Sequence, residues 1–311
     1  MKKLALIVLP SLAVFLGIFV GSYPTNPLHL TPGAVTIIRE IRLPRTLMGI
    51  SAGIALSLGG MTLQAVFRNP LVDTYILGVS SGVALGAAIA VAFLSSAGVA
   101  PLALLFGLLA VFLAYWMARI NGRVSTVSLI LAGIIVTALF SALLSLLELL
   151  LPSESLSALV VWLMGSLSNA DWRTVAYSLP GVVILAFVLF LLRWNLNAMS
   201  LGDEAELLGL NVHLWRGLFV FISALMTTLV VSFTGIIGWV GLMVPHMARM
   251  LVGPEHSRLI PATISIGITV MVLADVVVRL LPGDVPVGII TTLVGVPFFG
   301  YLLRKTGGGW S

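Results

Sequence analysis

Ser125 to Leu151 reads STVSLILAGIIVTALFSALLSLLELLL, a run with a single ionisable residue, Glu148. A transmembrane helix needs about 20 consecutive, mostly apolar residues, and this run exceeds that length. A transmembrane β-strand would instead show alternating hydrophobicity over segments of about 10 residues. The run therefore predicts a membrane-spanning α-helix.

Runs of the same character repeat along the chain, separated by charged residues, proline and glycine. They predict about ten helices, at 3–21, 45–67, 74–95, 99–119, 125–151, 174–193, 213–233, 239–251, 259–281 and 286–303. The run at 239–251 is too short to cross a bilayer, so it is either a half-helix or part of a neighbouring helix. The predicted fold is all-α, a polytopic transmembrane helical bundle, with residues 1–311 as a single domain.

The composition of the whole chain favours the same fold class. Hydrophobic residues make up 59% of the 311 residues and charged residues only 9%, whereas a soluble domain carries about 25% charged residues. A surface with so few charges must contact lipid. The basic residues form no stripe, which argues against a nucleic-acid partner. No cysteine is present, and the four histidines lack metal-ligand spacing, so neither a metal nor a cofactor is expected.

Charge distribution predicts the orientation. Lys2 and Lys3 precede an apolar run from Leu4 to Val20 that resembles a signal peptide, but no small-x-small cleavage site follows it. We interpret it as an uncleaved first span, with a cleaved signal as the alternative. Ten crossings then place both termini in the cytoplasm, with eleven of the sixteen basic residues on that side, as the positive-inside rule requires.

Three arginines fall on the predicted external side, beside Pro44 at the start of the second helix: Arg39, Arg42 and Arg45. Positive charge at a helix N-terminus opposes the helix dipole, so local stability does not explain them. They either receive carboxylates from an external partner or anchor the helix in lipid headgroups, and the residues alone leave both open. Asp275 and Arg279 lie four apart on one helix face, which predicts an ion pair.

The cytoplasmic connection at 195–212 holds an acidic stretch, Ser200-Leu201-Gly202-Asp203-Glu204-Ala205-Glu206-Leu207-Leu208-Gly209. It predicts a short amphipathic helix, with Ser200 as its cap and the acids in its first turns. Such a helix either lies on the membrane or docks a protein. Acidic residues beside anionic lipid are unfavourable, so we favour docking. Elsewhere, Gly78, Gly82 and Gly86 share one helix face and predict close helix packing.

Many segments, taken in order, resemble those of the FecCD-type permeases of ABC importers for iron chelates, haem and vitamin B12. The resemblance covers nearly the whole chain. It is carried by Arg42-Leu43-Pro44-Arg45, Gln64, Asn69-Pro70-Leu71, Leu77 to Gly82, Trp162 to Ser166, Leu201 to Ala205, Gly235, Gly238, Gly241 to Arg249, Ala274-Asp275 with Arg279, Pro286 to Gly288 and Gly295 to Pro297.

This resemblance implies a type II ABC importer permease fold and a homodimer in a bacterial or archaeal plasma membrane. Two copies of an ABC ATPase bind on the cytoplasmic side, and a substrate-binding protein docks outside. The chain itself is then not an enzyme. The implied ATPase coupling residues are Leu201, Gly202, Asp203, Glu204, Ala205, Glu206, Leu208 and Gly209. Arg42, Arg45 and Arg279 match the docking positions for the binding protein, and Ser157, Trp162, Gly165 and Ser166 lie in the gate region of the translocation path.

Two other classes of membrane protein are alternatives to an ABC importer permease: an ion-coupled secondary transporter and an intramembrane enzyme. An ion-coupled carrier needs an acid near the midplane, whereas Glu40, Glu148 and Asp275 lie toward predicted helix ends. An enzyme needs a nucleophile and base, or paired acids, and no such constellation is present in the sequence. The residues do not identify the cargo. Family frequency places iron complexes first and cobalamin second, with oxyanions such as molybdate also known.

Overall fold

The computed structural model describes residues 2–94, 98–283 and 285–306. In this part of the chain, thirteen α-helices form a bundle. They are α1 (Lys2–Phe19), α2 (Pro32–Ile37), α3 (Leu43–Phe67), α4 (Val79–Phe93), α5 (Val99–Ala118), α6 (Thr126–Leu150), α7 (Ser153–Leu163), α8 (Trp172–Leu191), α9 (Arg193–Met199), α10 (Val212–Thr234), α11 (Val240–Val252), α12 (His256–Leu280) and α13 (Val287–Thr306). A π-helical segment, Ile38–Arg42, joins α2 to α3, and 3-10 helices cover Thr74–Leu77 and Gly202–Leu208.

The predicted helical bundle is confirmed. Within the described residues, six helical stretches are long and apolar enough to cross a membrane: Pro32–Phe67, Val99–Ala118, Thr126–Leu150, Trp172–Leu191, Val212–Thr234 and His256–Leu280. The other four predicted runs form shorter apolar helices, α1, α4, α11 and α13. Helices α2, α7 and α9 were not predicted.

Helix α3 forms the centre of the bundle and is buried along nearly its whole length. It packs against α8, α10, α11 and α12. Two close crossings depend on glycine. A Cβ on Gly53 would stand 2.4 Å from the Gly267 carbonyl oxygen of α12, and one on Gly60 would stand 2.0 Å from the Gly241 carbonyl oxygen of α11. Any side chain at these positions would force the helices apart, so glycine sets the interhelical distance.

Helices α4 and α5 pack in the same way, as the glycine spacing predicts. A Cβ on Gly82 would meet the Phe106 carbonyl oxygen at 2.4 Å, and one on Gly86 would meet the Leu102 carbonyl oxygen at 2.2 Å. The prediction was wrong for Gly78, which lies before the helix. Gly78 has φ +83° and ends the preceding 3-10 helix, a left-handed conformation that glycine adopts without steric cost.

A break separates α10 from α11. Gly235 (φ +70°) and Trp239 (φ +71°) both adopt positive φ, and residues 235–239 are not helical. Helix α11 then runs for only 13 residues. The run at 239–251 is therefore a separate half-length helix, which is the first of the two predicted alternatives.

A β-hairpin joins α5 to α6. Arg119–Ile120 pairs with Arg123–Val124 in antiparallel register. Asn121 (φ 51°) and Gly122 (φ +78°) form the turn, and Asn-Gly is the dipeptide that favours a tight turn with both φ angles positive. This small sheet adds to a bundle that is otherwise helical.

Candidate functional site

A cavity of about 1030 Å³ opens at the predicted external end of the bundle, against α7. Of the predicted gate residues, Ser157, Trp162 and Ser166 line it. Its other walls come from α4, α5, the end of α10 and the segment before α13: Ala87, Val91, Val99, Phe233, Thr234 and Pro286, with Ser153, Glu154, Ser155, Ala158, Leu159, Val161, Ser168 and Asn169 from α7 and its flanking segments. Three of the four nominated gate residues therefore share one cavity, and their role in a gate stays a prediction.

Asp171 fixes the start of α8 beside the cavity. Its carboxylate accepts a hydrogen bond from the Thr174 backbone N–H at 2.8 Å, and the Thr174 hydroxyl in turn accepts one from the Asp171 N–H at 3.0 Å. This is a capping box. The backbone hydrogen bond from Thr174 holds the pKa of the Asp171 carboxyl below its ordinary value, since it stabilises the charged form.

Gly165 does not line the cavity. It lies directly behind it, in a junction of three backbone segments. Gly165 has φ +75°, and a Cβ there would stand 2.3 Å from the Ile236 carbonyl oxygen. The Gly288 N–H donates to the Gly165 carbonyl at 3.2 Å, and the Ser166 N–H donates to the Thr234 carbonyl at 2.7 Å. The cavity wall is thereby hydrogen-bonded both to the α10–α11 break and to the start of α13.

The predicted docking residues Arg42, Arg45 and Arg279 line a second cavity, of about 540 Å³, at the same end. Arg39, the third arginine of the 39–45 cluster, does not line this cavity. Its Nε lies 3.3 Å from Glu40 Oε1. The structure thus brings together the three arginines that the family resemblance selected. The sequence alone did not separate Arg39 from the other two in its cluster.

Asp275 sits between two of these arginines, and its side chain is only 1% exposed. Arg45 Nε donates to Asp275 Oδ1 at 2.6 Å, from α3 to α12. Arg279 Nη2 lies 2.6 Å from Asp275 Oδ2, an ion contact without hydrogen-bond geometry. The predicted pairing of Asp275 with Arg279 is present, and Arg45 extends it to a triad.

Arg42 is buried and bonded within the subunit. Its guanidinium donates to the Phe19 carbonyl and to the Thr25 hydroxyl, each at 2.9 Å, and to the Tyr23 carbonyl at 2.5 Å. These acceptors all lie between the end of α1 and the start of α2. Arg42 therefore holds this connection against the π-helical segment, a structural task that its position in the sequence did not reveal.

The acidic segment at 195–212, which is predicted to lie in the cytoplasm, differs from the predicted amphipathic α-helix. Residues Gly202–Leu208 form a 3-10 helix, and Ser200 ends α9 instead of capping the next helix. Ala205 is fully buried, whereas Leu201 is exposed, so the predicted apolar stripe does not form as one face. The side chains of Asp203 and Leu208 lie outside the described part of the chain.

The outward-facing side chains of this 3-10 helix are Glu204, Glu206 and Leu207, and Leu207 is 88% exposed. Beneath the helix, Gly202 (φ +70°) packs on Arg68, where a Cβ would stand 2.5 Å from the guanidinium Nη1. Gly209 (φ +79°) ends the helix with open space around it. The described side chains of this helix thus present two acids and Leu207, while Gly202 rests on the end of α3.

A polar cavity of about 530 Å³ adjoins this segment, and the sequence reasoning missed it. Arg68, Arg249 and His256 line it, together with Gln64 and Asn69. Arg249 donates to the side-chain oxygen Oε1 of Gln64, and Gln64 Nε2 donates to the Gly241 backbone carbonyl at 3.2 Å. In the described residues, no group of three or more His, Cys, Asp or Glu is placed to hold a metal ion.

An apolar helical bundle with several helices long enough to cross a membrane, and with a large cavity at one end, is typical of a multi-pass membrane transport protein. Comparison with known proteins identifies the family to which this transport protein belongs. Residues 7–305 match the model of the FecCD transport family. The chain belongs to that family and is a permease of the ABC importer type.

Relatives and solved structures agree with this assignment. The molybdate import system permease protein MolB of Haemophilus influenzae is 39% identical over 282 residues, 89% of this chain and 84% of that protein. A protein of Helicobacter pylori described as an iron chelatin transport system permease is 40% identical over 274 residues, 88% of this chain and 83% of that protein. A solved metal-chelate type ABC transporter, in an inward-facing conformation, superposes with a TM-score of 0.92 at 37% identity, over 97% of this chain and 98% of that one.

Proposed function

We propose that this chain forms the homodimeric permease of an importer for a metal chelate, with iron complexes as the first choice of cargo and cobalamin as the second. Two ATPase subunits bind its cytoplasmic face, where ATP is hydrolysed, and an external binding protein delivers the cargo. Residues 1–311 act as one permease domain in a plasma membrane, with both termini in the cytoplasm.

The observation that carries the choice of cargo is the size and lining of the cavity against α7. Ligand pockets for drug-sized molecules measure about 300–1,000 Å³, and this one measures about 1030 Å³. Of the described residues that line it, none is Lys or Arg, and one, Glu154, is acidic. A small oxyanion such as molybdate would leave most of this volume empty and would find no cation in its wall. A bulky chelate with an apolar exterior fits both properties.

The proposed docking surface for the binding protein is the cleft of Arg42, Arg45 and Arg279. Arg45 and Arg279 already share Asp275, so an incoming carboxylate joins a site that holds two guanidiniums against one acid. Its partner is therefore an acidic surface of the binding protein. Arg42 contributes by fixing the wall of the cleft, because its donors reach the α1–α2 connection.

The proposed contact with the ATPase is the 3-10 helix Gly202–Leu208. Leu207 supplies an apolar anchor, and Glu204 and Glu206 supply acids at its edge. Displacement of this helix is passed to α3 through the contact of Gly202 with Arg68. ATP and the loaded binding protein then act as two ligands that favour different conformations of one bundle.

Uptake by the complete complex in proteoliposomes tests the cargo. Ser157→Trp fills the cavity from α7, and we expect it to lower the uptake of a labelled ferric chelate by about tenfold. Val160→Trp is the matched control, since Val160 is exposed on the same helix without lining the cavity. Uptake of molybdate but not of ferric chelate or cobalamin by the unaltered complex would refute the cargo assignment.

Binding-protein affinity tests the arginine cleft. Arg45→Gln removes the charge and leaves a shorter polar side chain, and we expect docking to weaken by roughly tenfold. Arg39→Gln removes an equal charge from the same cluster outside the cleft, and docking is expected to be unchanged. Equal effects of the two variants would mean that the cleft is not the docking site.

A further inference from the structure

An apolar groove of about 340 Å³ lies between α5 and α10, away from the cavities described above. Its walls run from Leu105 to Tyr115 on α5 and from Gly217 to Ala224 on α10. At a rise of 1.5 Å per residue, the α5 wall is about 15 Å long. The groove therefore has the length and apolarity of a site for part of an extended hydrocarbon chain.

The groove is open on the side that faces lipid in the subunit. Leu105, Phe112 and Phe221 line it and are exposed. Helix α5 as a whole is apolar and is little buried within the subunit. At the polar end of the groove, Gly217 leaves space for the Tyr115 side chain, since a Cβ on Gly217 would stand 2.7 Å from the Tyr115 hydroxyl oxygen.

The polar end of the groove meets the β-hairpin. Tyr115 lines the groove, and Arg119 follows it by one helical turn, at the first position of the hairpin. Arg123 lies on the returning strand, opposite Ile120. Directly paired residues share a face and successive residues alternate between faces, so Arg119 lies on the face of the buried Val124 and Arg123 lies on the opposite face with Ile120. Arg119, Ile120 and Arg123 are all exposed.

The hairpin is held in place against α10. Arg216 donates to the Val124 carbonyl, and the Val124 N–H donates to His213 Nδ1 at 3.5 Å. The Tyr115 hydroxyl donates to the His213 carbonyl at 3.3 Å. The two exposed arginines consequently keep a fixed position relative to the mouth of the groove.

Trp116 and Ile120 mark the depth of this site. Both are exposed beside the arginines. An exposed tryptophan at the end of an apolar helix is typical of the membrane–water interface, the level at which lipid phosphates lie. Basic pockets between transmembrane helices on the cytoplasmic side are known to take anionic headgroups.

We propose that the α5–α10 groove and the Arg119–Val124 hairpin together form a binding site for an anionic phospholipid. One acyl chain lies in the groove, the phosphate accepts a hydrogen bond from Arg119, and Arg123 on the other face of the hairpin adds positive charge at the same level. This site serves neither the cargo nor the proposed protein partners.

Native mass spectrometry of the full-length chain in detergent tests the site, with phosphatidylglycerol and phosphatidylcholine of identical acyl chains as probes. We expect one tightly held phosphatidylglycerol per subunit and weaker binding of phosphatidylcholine. An arginine near an anionic surface contributes about 1 kcal/mol, or roughly fivefold in affinity. Arg119→Gln with Arg123→Gln is therefore expected to weaken phosphatidylglycerol binding by about thirtyfold. Arg258→Gln, an exposed arginine away from the groove, is expected to have no effect.

A separate variant tests the groove, which is the apolar part of the site. Phe112→Ala removes an exposed wall of the groove and is expected to weaken the binding of both lipids, whereas Phe15→Ala on α1 is not. Equal affinity for the two lipids, or unchanged phosphatidylglycerol binding in the double arginine variant, would overturn the proposal. Lipid bound only to the monomer would also overturn it, because a second copy of the chain would then cover the groove.

Discussion

Arg45 and Asp275 form a 2.6 Å contact between α3 and α12 in which the carboxylate is 1% exposed and also faces Arg279 at 2.6 Å. The attraction within a buried triad offsets the cost of removing three charges from water only while all three are present. One acid thus lies between two cations that would otherwise repel each other across the two helices, and the triad keeps a net positive charge.

Asp275→Asn is expected to destabilise the subunit by about 3 kcal/mol, because it leaves two buried guanidiniums without a counter-charge. The midpoint of thermal unfolding in detergent measures the effect. Glu40→Gln is the control, since its pair with Arg39 is exposed, at 52% and 76%, and is expected to shift stability by less than about 0.5 kcal/mol. Equal shifts in the two variants would show that the triad is not what holds α3 to α12.

Gly53 and Gly49 lie one turn apart on α3, and their replacement by alanine is expected to change the stability of the subunit in opposite directions. A methyl at Gly53 meets the Gly267 carbonyl oxygen at 2.4 Å, so it forces α3 and α12 apart and costs about 1–3 kcal/mol. A methyl at Gly49 meets Leu167 and Val272 at ordinary contact distances, the nearest atoms at 3.5 Å, and gains the helix propensity of alanine. Thermal unfolding of the two variants compares them directly. A Gly53→Ala variant as stable as Gly49→Ala would contradict the close crossing.

Gly165→Ala is expected to abolish most uptake and to destabilise the cavity wall, because its Cβ would stand 2.3 Å from the Ile236 carbonyl oxygen at φ +75°. Gly283→Ala carries the same backbone strain at φ +82° with nothing within 4 Å. The two variants separate steric conflict from left-handed strain. Uptake of the ferric chelate and thermal unfolding are the measurements. Equal losses in both variants would mean that the close contact between Gly165 and Ile236 is not required for uptake.

Gly202→Ala is expected to lower the ATPase stimulation of the assembled complex more than Gly209→Ala does. Both residues have φ near +70° to +80°, but only at Gly202 does the new methyl displace Arg68. Shortening the displaced side chain with Arg68→Ala is expected to restore part of the activity in the Gly202→Ala background. Failure of this rescue, with the complex intact, would mean that the Arg68 contact does not carry the coupling.

The sequence predicted the bundle and the ten apolar helices because lipid-facing runs require no knowledge of tertiary contacts. Helix α7 was missed, although Glu154 in its first turn is a helix-start signal. The hairpin was also readable from Asn121-Gly122. The triad and the burial of Arg42 were harder to predict. Arg42 finds its acceptors about 20 residues earlier in the chain, and Arg45 finds Asp275 at a separation of 230 residues.

The cytoplasmic segment shows a different limit of sequence reasoning. Its acids and leucines fit an α-helical wheel, but Gly202 and Gly209 both take positive φ and allow only a short 3-10 helix between them. Which residues face outward then depends on the packing of Ala205 and on the contact with Arg68. Composition identified the segment as a docking candidate, and tertiary contacts determine the surface that it presents.

The break between α10 and α11 has a consequence for how the backbone is solvated at the depth of the membrane. A helix of 13 residues covers about 20 Å of a hydrocarbon core about 30 Å thick, so the peptide groups of residues 235–239 lie within the span of the bilayer. Non-helical backbone is tolerated there only where protein or water solvates it. The Tyr75 hydroxyl donates to the Ile237 carbonyl at 2.8 Å and solvates one side, while Thr234 borders the large cavity on the other. The same break that shortens α11 thus places non-helical peptide groups, solvated by neighbouring protein groups, beside the wall of the large cavity.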